Sequence, residues 1–122
     1  MSTYNKLVRD KIIDIIEAEG RIAKYRILED EEYRQALNKK LQEEVKEYLE
    51  DNSVEELADI VEVVYGILNY MNVSVKDFEK IRMDKREKRG TFEKRIFLEE
   101  AEWVREKYKF FRENMNKFVH IF

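Results

Sequence analysis

Proline is absent from this chain of 122 residues, and glycine occurs only three times. A β-sandwich or β-barrel needs many turn residues between its short strands, whereas a chain with so few helix breakers can form long helices. Hydrophobic residues make up 43% of the sequence and charged residues 42%, a mixture typical of amphipathic helices around a core. Because a chain of this length usually has one core, we expect one compact, mainly α-helical unit.

Residue types that carry much of enzyme chemistry are almost missing. The chain has no cysteine, which excludes disulfides and thiol nucleophiles, and its only histidine is His120. Gly20, Gly66 and Gly90 are too far apart to form a glycine-rich phosphate loop. Any bound phosphate must then be held by metal ions or basic side chains, and carboxylates are the expected working groups.

No segment predicts export or membrane insertion. Residues 1–10 lack a continuous apolar stretch, and the longest apolar run, Val63–Leu68, is far shorter than the roughly 20 residues that a membrane helix needs. We therefore expect a soluble, cytoplasmic protein that does not bind membranes.

Apolar periodicity and capping residues predict four helices in the first 90 residues. Their predicted bounds are Thr3 or Asn5 to Gly20, Asp30 to about Asp51, Ser53 to Asn72, and Ser74 to about Gly90. The tight turn between the second and third helices predicts an antiparallel hairpin.

Alternating apolar residues predict a small two-stranded β element, in which about 22–28 pairs with 93–98. From Phe97 to Phe122 an apolar residue recurs every three or four positions, which predicts an added C-terminal helix over 99–122. This helix could pack on the domain formed by 1–98, or it could form a seam between subunits.

The predicted hairpin is strongly acidic, since Glu29–Glu62 contains 13 acidic and 4 basic residues. On a helical wheel Glu44 lies inside the apolar stripe of the second helix, Glu47 lies at its border and Glu43 points away. Glu56 and Asp59 lie on the packing side of the third helix. The hairpin should therefore bring four carboxylates to one end of a helical bundle.

Like charges in a low-dielectric environment repel strongly unless cations neutralise them, and ligand sets made only of oxygen select Mg²⁺ or Mn²⁺. A divalent metal site with open positions for phosphate is one interpretation. The other is an ordinary acidic surface, in which Glu56 caps its helix with Ser53 while Glu44 or Glu47 pairs with Lys40. Capping leaves Asp59 unexplained, which favours the metal site.

At these residues the sequence resembles the all-α nucleoside triphosphate pyrophosphohydrolases, the superfamily of MazG, dimeric dUTPases and phosphoribosyl-ATP pyrophosphohydrolase. The shared signature is ExxE followed by ExxD, here Glu44-Val-Lys-Glu47 and Glu56-Leu-Ala-Asp59. YNKLVRDKI at Tyr4–Ile12 and KREKRGTFEKRIFL at Lys85–Leu98 look like stretches of the small, phosphoribosyl-ATP pyrophosphohydrolase-like branch. The sequence departs from the family pattern in two places. The eight residues between Glu47 and Glu56 make a tighter connection than in many MazG members, and the predicted C-terminal helix is an addition to the usual short form.

The resemblance implies a MazG-like antiparallel helical bundle and Mg²⁺-dependent cleavage between the α- and β-phosphates of a nucleotide, with Mn²⁺ as a further candidate metal. It also implies a homodimer or higher homo-oligomer. The implied catalytic and metal-binding residues are Glu44, Glu47, Glu56 and Asp59, and each of the four is also a candidate general base. Glu43 is a candidate for a supporting contact to these ligands.

Basic residues in the other two matching stretches are candidates for binding the polyphosphate. They are Arg9, Lys11, Lys85, Lys88 and Arg89. We do not expect nucleic-acid binding, because the basic segment Arg82–Arg95 has seven basic against three acidic residues within an acidic chain. The competing prediction is a non-catalytic helical adaptor that binds a partner through its C-terminal aromatic seam.

Overall fold

The computed structural model describes residues 2–104 and 107–114. Within these ranges the only regular elements are α-helices, so the prediction of a mainly α fold is confirmed. The helices are α1 (Ile12–Ala18), α2 (Asp30–Asp51), α3 (Val54–Tyr70), α4 (Val75–Arg89) and α5 (Tyr108–Glu113). None of these helices has both the length and the apolar content that crossing a membrane requires.

The first helix is shorter than the sequence predicts. It begins at Ile12 with no side-chain cap, and Asn5 has a positive φ of 47°, so capping by Thr3 or Asn5 is wrong. The predicted end is confirmed, because Gly20 adopts a φ of +82°, which glycine tolerates without strain, and the chain leaves the helix there. Residues 2–11 therefore form a non-helical N-terminal segment.

Helices α2 and α3 form the predicted antiparallel hairpin. Asn52 ends α2 in the left-handed conformation, with φ 52°, and Ser53 begins α3 by accepting a hydrogen bond at Oγ from the Glu56 backbone N–H at 3.3 Å. At the opposite end of the hairpin the rings of Tyr33 and Tyr70 meet edge to face, 5.9 Å apart. The two helices therefore pack along their full length.

Close approach of the helices depends on Gly66. A Cβ atom there would lie 3.3 Å from Cδ2 of Leu37, a contact tighter than usual for packed side chains. Leu37, Val63 and Leu68 are the buried apolar residues of the described chain, and the only buried charged residue is Glu44. For the length of chain that the structure describes, this core is small.

The chain groups into two compact units that meet in sequence between Val75 and Lys76. The fourth helix begins directly after Ser74, as the sequence predicts, and all of it after Val75 lies in the second unit. The chain then turns at Gly90, whose φ is +85°. The domain boundary expected after Leu98 stays a prediction.

The predicted β element is wrong, because neither 22–28 nor 93–98 forms a strand. Arg95 has a positive φ of 58° and donates its backbone N–H to the carbonyl of Phe92, so a turn interrupts the second segment. In the first segment Ile22 is 96% exposed. An alternating pattern forms a strand only when a neighbouring strand satisfies its backbone groups, and among the residues that the structure describes neither segment has one.

The C-terminal helix is also different from its prediction. Residues 99–104 are not helical, so a helix that begins at Glu99 is wrong, and α5 covers only Tyr108–Glu113. Residues 105–106 and 115–122 lie outside the described residues, and with them the last part of the predicted aromatic seam. The rings of Trp103 and Tyr108 meet edge to face at 5.9 Å within the second unit.

Candidate metal centre

The candidate site lies at the turn end of the α2–α3 hairpin. Helical spacing places Glu44 and Glu47 one turn apart on α2, and the Ser53 cap fixes the first turn of α3, where Glu56 lies. The short connection returns the chain at once, so the last turns of α2 face the first turns of α3. Local rules of helix geometry therefore bring together acids from two helices.

Two overlapping groups of carboxylates result. One oxygen from each of Glu43, Glu44 and Glu47 lies within 4.8 Å of the other two, and the same holds for Glu44, Glu56 and Asp59. We call these the first and the second triad. Glu44 belongs to both, so all four predicted ligands take part in one connected cluster.

Glu44 is the central residue of the cluster and only 6% exposed. Its Oε1 accepts an ion pair from Lys40 Nζ at 3.2 Å, while its Oε2 is buried without a hydrogen-bond partner. Burial raises the pKa of the Glu44 carboxyl, the neighbouring Glu47 raises it further, and Lys40 opposes both effects. A buried, unpartnered carboxylate oxygen is costly unless something binds it.

Glu56 repeats this feature on the other helix. Its backbone N–H is satisfied by Ser53, but its side-chain Oε2 is also buried without a hydrogen-bond partner. Capping therefore explains the backbone of Glu56 and leaves its carboxylate unexplained. Glu44 and Glu56, which lie on facing helices and each have one orphaned oxygen, are both members of the second triad.

Cations from the N-terminal segment lie at the edge of the cluster. Lys6 Nζ is 3.1 Å from Glu43 Oε1, and Arg9 Nη2 is 2.6 Å from Asp59 Oδ1. The hydrogen bond to Glu43 raises the pKa of Lys6, with smaller contributions from the charges of Glu47 and Glu44. Burial raises the pKa of Glu43, but Lys6 and Lys40 outweigh it, and the net pKa lies below its ordinary value.

The predicted phosphate-binding residues fall in different places. Arg9 lies at the cluster, and Lys11 is an exposed residue directly before α1. Lys85, Lys88 and Arg89 are exposed on α4, in the second unit. Of the predicted set, the first unit therefore places only Arg9 against the acids.

Two residues of the cluster were missed or misplaced by sequence reasoning. The helical wheel pointed Glu43 away from the cluster, yet its carboxylate joins the first triad and also lies 3.6 Å from Lys40. Lys6 belongs to a non-helical segment, where periodicity gives no signal. Its position five residues before Lys11, in the same matching stretch, was the only available hint.

The residues present suit a hard divalent cation. Every donor is a carboxylate oxygen, the preferred ligand of Mg²⁺ and Mn²⁺, and two of the oxygens are buried without partners. The acidic-surface interpretation predicts the pairing of Lys40 with Glu44, and this pair accounts for Oε1 of Glu44 but not for Oε2. No protein-family model matches this chain, and neither a curated protein nor a solved structure matches it.

Proposed function

We propose that this protein is a Mg²⁺-dependent nucleoside triphosphate pyrophosphohydrolase with a MazG-like helical bundle, which releases a nucleoside monophosphate and pyrophosphate. The observation that carries the proposal is Glu44, a buried residue shared by two carboxylate triads, with one oxygen that nothing in the described chain binds. A carboxylate cluster that destabilises the metal-free fold is expected where function requires it. Such an activity would suit removal of unwanted nucleotides from the cellular pool.

Glu44, Glu47, Glu56 and Asp59 would hold the metal, joined by Glu43 where an ion occupies the first triad. Mn²⁺ would substitute for Mg²⁺. When bound, the ion supplies positive charge that neutralises the polyphosphate and polarises a water molecule for attack. Glu44 would contribute to both triads at once, because it is the residue that the two triads share. A carboxylate of the cluster would also accept the proton from the attacking water.

Arg9 would bind the phosphates. Its guanidinium is half exposed and already lies at Asp59, so the end of the side chain is within reach of a group bound to the second triad. A planar guanidinium can make two parallel hydrogen bonds to phosphate oxygens. In this role Arg9 stabilises the charge on the departing pyrophosphate.

The apolar surface of α3 supports assembly into a homo-oligomer. Val63 and Leu68 are buried in the hairpin, whereas Leu57, Val61 and Tyr65 are 43%, 45% and 38% exposed. A helix that is apolar on more than one side is normally covered on more than one side. A second copy of the chain would cover this face, and in sedimentation we expect Val61→Asp to reduce the native mass to that of one chain.

Pyrophosphate release from a panel of common, deoxy and modified nucleoside triphosphates, and from phosphoribosyl-ATP, tests the activity. We expect release with Mg²⁺ or Mn²⁺ and none with a chelator. Glu56→Gln should abolish turnover, while Glu55→Gln, which removes the same charge from the same helical turn, should retain it. Metal-independent release, equal loss in both variants, or no release from any nucleotide would contradict the proposal.

A further inference from the structure

The N-terminal segment supplies one cation to each triad. Lys6 pairs with Glu43 of the first triad, and Arg9 pairs with Asp59 of the second. These pairs join residues 37 and 50 positions apart, whereas Lys40 and Glu44 are one helical turn apart. The path of the N-terminal segment therefore places two basic side chains over the carboxylate cluster.

Stability alone does not account for the pair between Lys6 and Glu43. Its side chains are 41% and 28% exposed, and an ion pair of this kind usually contributes about 0–1 kcal/mol. Its partner, however, is a member of a triad whose oxygens converge. A divalent ion bound by the first triad would compete with the Lys6 ammonium for the same carboxylate, and Lys6 would then need another anion.

We propose that Lys6 is a phosphate-binding residue, which pairs with Glu43 in the metal-free protein and moves to a phosphate oxygen of the nucleotide once a divalent ion occupies the first triad. This proposal rests on the proposed function. The flexible four-carbon stem of lysine carries a compact charge, so the exchange needs little backbone movement. Arg9 and Lys6 would then hold the polyphosphate from one segment, each above its own triad.

The exchange predicts two effects of opposite sign when the charge of Lys6 is removed. Metal binding tightens, because a competing cation is lost from Glu43. Phosphate binding weakens, because a charge-assisted hydrogen bond to the phosphate is lost. A residue that only stabilises the fold would not produce this split.

Calorimetric titration of the full chain tests the proposal, with Mn²⁺ alone and with inorganic pyrophosphate in saturating Mg²⁺. We expect Lys6→Gln to bind Mn²⁺ about two- to fivefold more tightly and pyrophosphate about tenfold more weakly. Lys6→Arg, which keeps the charge, should bind both probes nearly as the native chain does. Lys24→Gln is the matched control, since Lys24 is exposed and no ion pair within the described ranges involves it.

Each outcome gives a decision. If the native chain binds Mn²⁺ and pyrophosphate but Lys6→Gln changes neither affinity relative to Lys24→Gln, the role of Lys6 is overturned and the proposed activity is not. Tighter Mn²⁺ binding with unchanged pyrophosphate binding also overturns the exchange. If the native chain binds neither probe, both this inference and the metal-dependent activity fail.

Discussion

The two ends of the α2–α3 hairpin use equally buried positions in opposite ways. Away from the connecting turn, Leu37 is 4% exposed and fills the space beside Gly66. Near the turn, Glu44 is 6% exposed and places a carboxylate where an apolar side chain would fit. The first end follows the ordinary rule of core packing, and the second departs from it in the way that functional sites do.

The largest expected effect concerns activity at the acidic end. Asp59→Asn keeps the size of the side chain but removes the negative charge from the second triad. We expect turnover to fall about 1000-fold, because charge stabilisation at the reacting phosphate is usually the largest catalytic contribution. Pyrophosphate release measures the loss, and a circular dichroism melt should show that the fold is kept.

Glu62→Gln provides the control for this prediction. Glu62 lies on the same helix, is exposed, and belongs to neither triad. The turnover of Glu62→Gln should be within about twofold of the native value, as is usual for a surface substitution away from a site. Similar losses in Asp59→Asn and Glu62→Gln would mean that general acidity, and not the cluster, supports the activity.

The second effect concerns stability at the apolar end. Leu37→Ala removes a buried side chain and leaves a cavity against Gly66, so the free energy of unfolding should fall by about 2–4 kcal/mol. Urea denaturation measures this change. Leu49→Ala on the same helix should cost about 0.5 kcal/mol or less, because Leu49 is exposed. Equal losses would contradict the assignment of the core to this end of the hairpin.

The third effect tests whether the acidic end destabilises the metal-free fold. Burial raises the folded-state pKa of Glu44 above its ordinary value of 4.5, so the folded chain keeps this proton after the unfolded chain has lost it. Raising the pH from 4.5 through the folded pKa therefore lowers stability. Glu44→Gln removes this effect, and Lys40 retains Glu43 at 3.6 Å as a partner.

Glu44→Gln should therefore be more stable than the native chain at pH 7 without metal, by about 1 kcal/mol. The difference should disappear below pH 4.5, where Glu44 of the unsubstituted chain is protonated in both the folded and the unfolded state. Thermal melts in chelator from pH 4 to 8 measure the trend, and added Mg²⁺ should stabilise the native chain more than the variant. The prediction is contradicted if the stability of Glu44→Gln relative to the native chain is lower at pH 7 than at pH 4.5.

The comparison also separates what sequence reasoning can predict from what it cannot. Periodicity and capping are local, so they predicted the start of α3, the turn at Asn52 and the convergence of Glu44, Glu47, Glu56 and Asp59. A helical wheel gives the direction in which a residue leaves the helix, not the reach of a long side chain. This is why Glu43 was placed outside the cluster although Lys6 and Lys40 both contact its carboxylate.

Non-local features were the ones missed. The strand at 93–98 depended on a partner that alternation cannot supply, and the positive φ of Arg95 has no marker in the sequence. The contact of Lys6 with Glu43 depends on the path of a non-helical segment over residues 37 positions away. The four predicted acids and the pairing of Lys40 with Glu44 follow helix geometry, but the contacts of Lys6 and Arg9 do not.

The smallest expected effect concerns the Ser53 cap, which binds the backbone N–H of Glu56, a residue whose carboxylate belongs to the second triad. Ser53→Ala removes the acceptor for the Glu56 backbone N–H and should lower the free energy of unfolding by about 0.5–1 kcal/mol. If the cap also positions the Glu56 carboxylate, the Mn²⁺ affinity of Ser53→Ala should fall about threefold. Ser53→Asp keeps a capping oxygen and should restore the free energy of unfolding. Calorimetry and urea melts of both variants separate the two roles. A loss of stability with unchanged Mn²⁺ affinity would show that the acidic end holds its geometry through the packing of α2 against α3 and not through the cap.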